Sequence, residues 1–353
     1  MTRLVVVQTA YLGDVVLTTP LLRELRRASP GASIAVVTTP LGAEALRGHP
    51  AVDEIHALDK KGRNRGPMAL LGIAARIRGA EAAVAAQRSF RTGLLVRLAG
   101  APRRVGFEGA AGGWAYTDEV PWRGTDHAVR RYLELSRPLG GDPGSADPRP
   151  ELPVLAESRD RVASLLREAG IPGTAPIVAV APGSIWGTKR WVPEGFAEVI
   201  RSAADRGLTP VLVGSAGERG LCEEVGEAAG GRPTILAGRL PIPELAALLE
   251  RAWALVTNDS GSGHVASAVG TPVVSIFGPT VPAFGYPPFG KENRIVERAG
   301  LECRPCHHHG PERCPLGHFR CMREIEASRV IAALDEVIEA VREREDSRDD
   351  RQR

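Results

Sequence analysis

Short apolar runs rich in valine, isoleucine and alanine recur along this chain, and a longer stretch with helical spacing follows most of them. A strand that is apolar at every position has to be buried on both faces, which is the condition of a parallel sheet covered by helices on either side. Leu4-Val-Val-Val-Gln8 is the first such run, and Val15 to Ala28 follows it with Leu17, Leu21, Leu22 and Leu25 on one helical face. The same reading places strands at 33–38, 54–58 and 82–86, and helices at 68–78, 92–98 and 127–139. In the second half it places strands at 177–181, 210–213, 234–236, 254–257 and 273–277. Helices there are expected at 159–169, 194–205, 218–229, 242–251 and 263–268. This alternation specifies an α/β fold with parallel sheets.

Gly140-Gly-Asp-Pro-Gly-Ser-Ala-Asp-Pro-Arg-Pro150 has almost nothing that could enter a core and is dense in turn formers, so it reads as an inter-domain linker. With 353 residues the chain is long enough for two domains. The expected division is a Rossmann-like domain over 1–150, with the linker over 140–156, a second over 157–325, and a C-terminal helix and tail over 326–353. In that tail, Ser328 to Val341 is amphipathic and Arg342 to Arg353 is expected to fray. Two doubly wound domains facing a central cleft present their strand C-termini to it, and ligands are expected there.

The formal charge, 45 basic less 42 acidic residues or +3, is too small for bulk nucleic-acid binding, and aromatic residues are sparse around the basic runs. Its distribution is uneven. Basic residues dominate between Lys60 and Arg131, which suggests an anionic partner for the first half, although a solvated arginine-rich face accounts for it equally well. No stretch is long enough to span a membrane, and Leu4 to Val7 is too short for a signal-peptide core, so the expected location is the cytoplasm. Of the five cysteines, Cys222 stands alone, while Cys303, Cys306, Cys314 and Cys321 crowd together. In a reducing compartment this clustering suggests a structural zinc, against free or redox-active thiols. The second pair is widely spaced, and His307, His308, His309 and His318 are competing ligands.

Val256-Thr-Asn-Asp-Ser-Gly-Ser-Gly-His264 reads as a strand leaving the sheet into a helix start. Asp259 or Ser260 can cap that helix, and the N–H groups around Gly261, Ser262 and Gly263 then face an anion at the positive end of its dipole. The Gly261-x-Gly263-x-x-Ala266 spacing and the acidic residue ahead of it are a poor match to a dinucleotide fingerprint. Three further segments sit beyond strand ends, where open parallel sheets place their functional loops. Tyr11-Leu-Gly-Asp14 carries a carboxylate that is either a general base or a helix cap. Pro182 to Trp191 carries Ser184, Thr188, Lys189 and Arg190, suited to a phosphate or to a surface loop anchored by its tryptophans. Glu218 follows Val213-Gly-Ser-Ala-Gly217, and either takes ribose hydroxyls or favours the helix dipole. Lys60, Lys61, Arg63 and Arg65, with Arg88 and Arg91, are the densest basic group in the first half and could clamp carboxylates or phosphates.

Together, in this order, these segments resemble glycosyltransferase family 9, the lipopolysaccharide heptosyltransferases, most closely the heptosyltransferase II type. The resemblance rests on Gly13 to Pro20, the Asp-Lys-Lys-Gly-Arg segment from Asp59, Pro182 to Trp191, Asn258 to His264, and the cysteine segments from Cys303 to Met322. It implies a GT-B fold with two Rossmann-like domains, an ADP-heptose donor held mainly by the second, and inverting transfer to an inner-core heptose of a lipid A-linked acceptor. It further implies Asp14 as general base and Lys189 on the diphosphate. Glu218 would hold the ribose, and Ser184, Thr188, Asp259, Ser260, Gly261 and His264 would line the donor site. Lys60, Lys61, Arg63 and Arg65 would meet the acceptor. No DxD motif sits at a strand end, so no cofactor is expected for catalysis, and a lysine with helix N–H groups would carry the leaving-group charge. A lipid-linked acceptor implies peripheral, salt-sensitive contact with the inner membrane. Two other readings differ in class: a nucleotide-sugar epimerase or transferase of the same architecture using another donor, and a non-catalytic nucleotide-sugar binding protein.

Overall fold

The structure, a computed structural model, describes residues 2–60, 66–231 and 233–352, with the backbone alone for 348–352. The chain divides into two units, Met1–Pro153 and Val154–Arg353.

The strands of the first unit are β1 (Arg3–Gln8), β2 (Ser33–Thr38), β3 (Glu54–Ala57), β4 (Ala82–Ala85), β5 (Arg103–Phe107) and β6 (Asp118–Val120). They form one six-stranded sheet in the order β3-β2-β1-β4-β5-β6, parallel throughout. Its helices are α1 (Leu12–Leu17), α2 (Thr19–Ala28), α3 (Pro40–Ala45), α4 (Pro67–Arg76), α5 (Phe90–Leu98) and α6 (Ala128–Glu134). The chain steps outward from β1 to β3 and then returns to place β4 on the other side of β1. The direction reverses between β1 and β4, so the loops leaving those two strands flank the crevice where such sheets bind ligands. Val5, Val7, Ala35 and Val37 are fully buried or nearly so, packed beneath Ile73 and Ile77, around α4, and Leu95 and Val96 of α5. Each buried valine or leucine contributes about 1.5–3 kcal/mol relative to exposure.

The second unit repeats the plan. Its strands are β7 (Ile177–Ala181), β8 (Thr209–Leu212), β9 (Thr234–Ile235), β10 (Ala254–Asn258), β11 (Val273–Phe277) and β12 (Arg294–Glu297). They too are parallel, in the order β12-β11-β10-β7-β8-β9, which puts the reversal between β7 and β10. The helices are α7 (Ala156–Glu168), α8 (Pro193–Asp205), α9 (Arg219–Ala228), α10 (Ile242–Arg251), α11 (Gly261–Ala268), α12 (Arg320–Arg323) and α13 (Ala327–Gln352). Val330, Leu334, Val337 and Ile338 carry α13 into the core formed by β7, β10, β11 and α8, so the last helix is part of this unit.

Several features differ from the sequence expectation, among them the short helices α3 and α12, which it lacks. The helix expected over 15–28 is two helices, because Pro20 has no N–H for the carbonyl of Val16; the Thr19 hydroxyl donates to that carbonyl instead, at 2.8 Å. Strands β5, β6 and β12 were not anticipated. The charged tail does not fray at Arg342 but continues α13 to Gln352, through residues that include neither glycine nor proline. The linker segment is stapled to α2: Arg23 donates to the carbonyls of Asp147 and Arg149 at 2.8 and 3.0 Å and pairs with Glu151 at 2.7 Å.

Candidate active site

Both units place polar side chains at the crevice end of the two strands where the sheet order reverses. In the first, β1 ends at Gln8, and Tyr11 opens α1 as its N-cap residue, with Asp14 three positions on. The Asp14 carboxylate is half-buried and held at both oxygens. Oδ2 accepts the Tyr11 backbone N–H at 3.3 Å, and Oδ1 accepts the Tyr132 hydroxyl, from α6, at 2.7 Å. The helix-capping contact, one of the two roles weighed above, is therefore made by Oδ2.

Around it the loop is fixed by buried amides. The Gln8 side chain donates to Thr18 Oγ1 at 3.2 Å and accepts Ala10 N–H at 3.2 Å, while Thr18 donates to the Asp14 carbonyl at 2.7 Å. Gln87, just beyond β4, gathers donors on Oε1 from Thr9 at 2.9 Å, Thr92 at 3.3 Å and Lys60 at 3.5 Å. Lys60 therefore reaches this edge. Burial lowers its pKa, the Arg91 charge adds to that shift, and the nearby Asp14 carboxylate opposes it. Lys61, Arg63 and Arg65 lie outside the described residues. The Arg88 guanidinium lies 4.6 Å from the Trp122 ring centroid, as does that of Arg131, and it donates to the Gly109 carbonyl at 2.9 Å.

In the second unit, β7 runs into Pro182-Gly183-Ser184 and β10 into Asp259-Ser260. Asn258 ties the two loops together: its amide nitrogen donates to the Pro182 and Gly183 carbonyls at 2.8 and 3.3 Å, and its oxygen accepts Trp191 N–H at 3.0 Å. Trp191 is itself sunk in the core, with Nε1 donating to Ile325 O at 3.1 Å and its ring edge-on to Phe196. Anchored at Asn258 and Trp191, the loop delivers Lys189 Nζ to within 2.6 Å of Asp259 Oδ2, with side chains only 12% and 11% exposed. Thr280, leaving β11, donates to the same Asp259 oxygen at 2.7 Å. The Lys189 stem lies against Gly310, where an added Cβ would stand 3.2 Å from it and where a φ of +84° favours glycine.

Ser260 is the N-cap residue of α11, yet its side chain makes no capping bond. Its hydroxyl lies 3.0 Å from that of Thr257 and 2.8 Å from that of Ser262, while Asp259 turns to Lys189 and Thr280. Neither expected cap is used. The first-turn N–H groups of an α-helix have no intrahelical partner, so those of Gly261, Ser262 and Gly263 remain for an anion close to the Lys189–Asp259 pair. His264 follows, buried one turn in.

The remaining expected donor residues are placed variously. Ser184 is buried, and its carbonyl accepts Arg190 Nε at 2.9 Å. Thr188 gives its hydroxyl to the Pro311 carbonyl, fastening the loop to the cysteine-bearing segment. Glu218 folds back so that Oε2 accepts both the N–H and the hydroxyl of Ser215 at 2.8 Å, a helix cap, while Oε1 presses on Gly183, where an added Cβ would stand 2.0 Å from it.

The cysteines are free thiols, and among the described residues no three His, Cys, Asp or Glu side chains converge closely enough to hold a metal ion. Cys306 Sγ lies 2.9 Å from the Cys303 carbonyl, as a thiol donor does, and burial pushes the Cys321 thiol up to about 11 and raises that of Cys306. The donor set as folded does not fit the expected zinc. Sequence reasoning also missed Gln87, Tyr132 and Thr280. Gln87 and Thr280 stand within three residues of a strand end, a signal that was there to use; Tyr132 sits inside a helix more than a hundred residues from Asp14 and gave none.

A profile of glycosyltransferase family 9 (heptosyltransferase) matches residues 71–315. Lipopolysaccharide heptosyltransferase 2 of Escherichia coli is 28% identical over 312 residues, covering 83% of this chain and 87% of that protein. Lipopolysaccharide heptosyltransferase 1 of Pseudomonas aeruginosa is 30% identical, covering 86% of each. Among solved structures, a family 9 glycosyltransferase from Veillonella parvula superposes with a TM-score of 0.82 at 26% identity, covering 96% of this chain and 97% of that one.

Proposed function

The chain belongs to glycosyltransferase family 9, and from that premise we propose that it moves a heptose from ADP-heptose to an inner-core sugar of a lipid A-linked acceptor, with inversion, in lipopolysaccharide core synthesis. One observation carries the assignment of roles: a lysine ammonium and uncapped helix N–H groups meet at one switch point, and an oriented carboxylate stands at the other. In this reading the acceptor hydroxyl oxygen attacks the anomeric carbon and its proton passes to the Asp14 carboxylate. The anomeric carbon–oxygen bond breaks, and its electron pair leaves on the diphosphate of ADP. Lys189 and the start of α11 take up that growing negative charge, in a position fixed before the reaction begins. No metal is given a part in the step.

Asp259 aims Lys189, Thr280 and Asn258 hold Asp259 and the loop, and Tyr132 sets the direction of the Asp14 lone pairs. Ser184, Thr188, Ser260, Gly261 and His264 line the donor side, with Glu218 on the ribose through Oε1. Lys60 meets anionic groups of the acceptor together with Lys61, Arg63 and Arg65. Because that acceptor is lipid-linked, the protein works in peripheral contact with the cytoplasmic face of the inner membrane. No described helix is long and apolar enough to cross it. Incubation with a panel of ADP- and UDP-sugars tests the donor by mass action: ADP-heptose raises the melting temperature under this reading, and stabilisation by a UDP-sugar alone overturns it.

A further inference from the structure

Helix α4 is apolar nearly all round, which is the composition of a buried helix, yet it lies on the surface of the first unit. Ile73 and Ala74 face the sheet, whereas Met68 (79% exposed) and Leu71 (47%) stand outside, with Gly72 and Ala75 exposed beside them. Their spacing, i, i+3, i+4 and i+7, is that of one helical face. The neighbouring α5 continues the apolar surface with Phe90, which is 56% exposed and 5.6 Å from the ring of Trp114, itself 55% exposed. Charge is as uneven as polarity. From Pro67 to Leu98 there are five arginines and one acidic residue, Glu81, which precedes β4 at the sheet end opposite the helix starts. Neither α4 nor α5 contains an acidic residue, and Arg76, Arg91 and Arg97 on them are exposed.

We propose that this face of α4 and α5, with Trp114, docks on an anionic lipid bilayer. Exposed aliphatic and aromatic tips with arginines and no carboxylates on either helix match a negatively charged headgroup layer over an acyl boundary, and Glu119, beside Gly113, marks the Trp114 end of the patch. Aromatic pairs such as Phe90 and Trp114 partition to that depth. A second copy of the chain fits poorly, because a twofold contact through this face would set arginine against arginine. Met68 and Phe90 both lie in the first turn of their helices, at the edge of the sheet where Asp14 lies. Docking here therefore brings the crevice end of β1 to the bilayer, where a lipid-linked acceptor is found. This last step rests on the transferase reading; the docking itself does not.

Co-sedimentation measures it directly, with vesicles of phosphatidylglycerol and phosphatidylethanolamine against vesicles of phosphatidylcholine, and with neither donor nor acceptor present. The protein is expected on the anionic vesicles and to be released by salt. Arg97→Gln is expected to weaken binding about fivefold. Leu71→Asp with Trp114→Asp is expected to abolish it while the melting temperature and transfer to a delipidated acceptor stay near wild type. The proposal is overturned if anionic vesicles do not bind the wild type, if the double variant binds as well as wild type, or if the double variant turns a dimer into a monomer. Vesicle binding without any heptose transfer would keep the docking face and refute the transferase reading.

Discussion

Lys189→Met removes a charge while keeping most of the side-chain length, and its consequences follow from the 2.6 Å contact with Asp259. In the folded protein Asp259 would keep the Thr280 hydroxyl at 2.7 Å but lose its cation. A largely buried carboxylate left with a neutral donor costs on the order of 1–3 kcal/mol of stability. For the ligand, one unit charge at about 4 Å in an effective dielectric of about 20 is worth ~4 kcal/mol before desolvation. A net loss of about 2–3 kcal/mol weakens ADP binding about 30- to 150-fold. Calorimetric titration with ADP at fixed ionic strength reads the second effect and a urea melt reads the first. The double variant Lys189→Met, Asp259→Asn separates them: with neither charge left alone, stability returns toward wild type while ADP affinity does not. If Lys189→Met binds ADP within threefold of wild type, the lysine is a structural partner of Asp259 and the diphosphate assignment is wrong.

Tyr132→Phe deletes the hydroxyl on Asp14 Oδ1, a bond to a charged acceptor worth about 1.5–3 kcal/mol. It should lower kcat by about ten- to a hundredfold with ADP affinity unchanged; a lower melting temperature at full kcat would make the contact purely structural. His49, fully buried near Glu151, has its pKa pushed down to about 4 by burial, with Glu151 opposing and Arg23 assisting. Below the ordinary histidine pKa the unfolded chain takes up a proton that the folded one refuses, so stability is full at pH 7 and falls as the pH drops from about 6.5 toward 4. Between pH 7 and 5 this group removes about 2 kcal/mol. Urea midpoints show it, and His49→Asn should flatten that part of the profile.

How much of this was legible beforehand depended on burial. The central strands β1, β2, β7, β10 and β11 are enclosed on both faces, so almost every residue is apolar and the pattern gives them away. Strands at and beside the sheet edges are not so enclosed: Arg103–Phe107, Asp118–Val120 and Arg294–Glu297 mix charged with apolar residues and look like loops. At the site, Asp14, Lys189 and Asp259 were visible because they follow strands that were visible. What held them was not. The Lys189–Asp259 pair joins residues seventy apart, and Tyr132 reaches Asp14 across 118 positions, contacts that only the assembled sheet order creates. Glu218 shows the reverse case, since a residue picked for a ligand spends one oxygen on a helix cap.

The central claim is that Asp14 removes the acceptor proton, and Asp14→Asn tests it most directly, since the amide oxygen can still accept the Tyr11 N–H and the amide nitrogen can donate to the Tyr132 hydroxyl oxygen, but the group cannot act as a base. Single-turnover transfer from ADP-heptose to a heptosylated inner-core acceptor should fall by about a thousandfold or more, with ADP binding unchanged. Transfer by the variant at close to the wild-type rate would contradict the account.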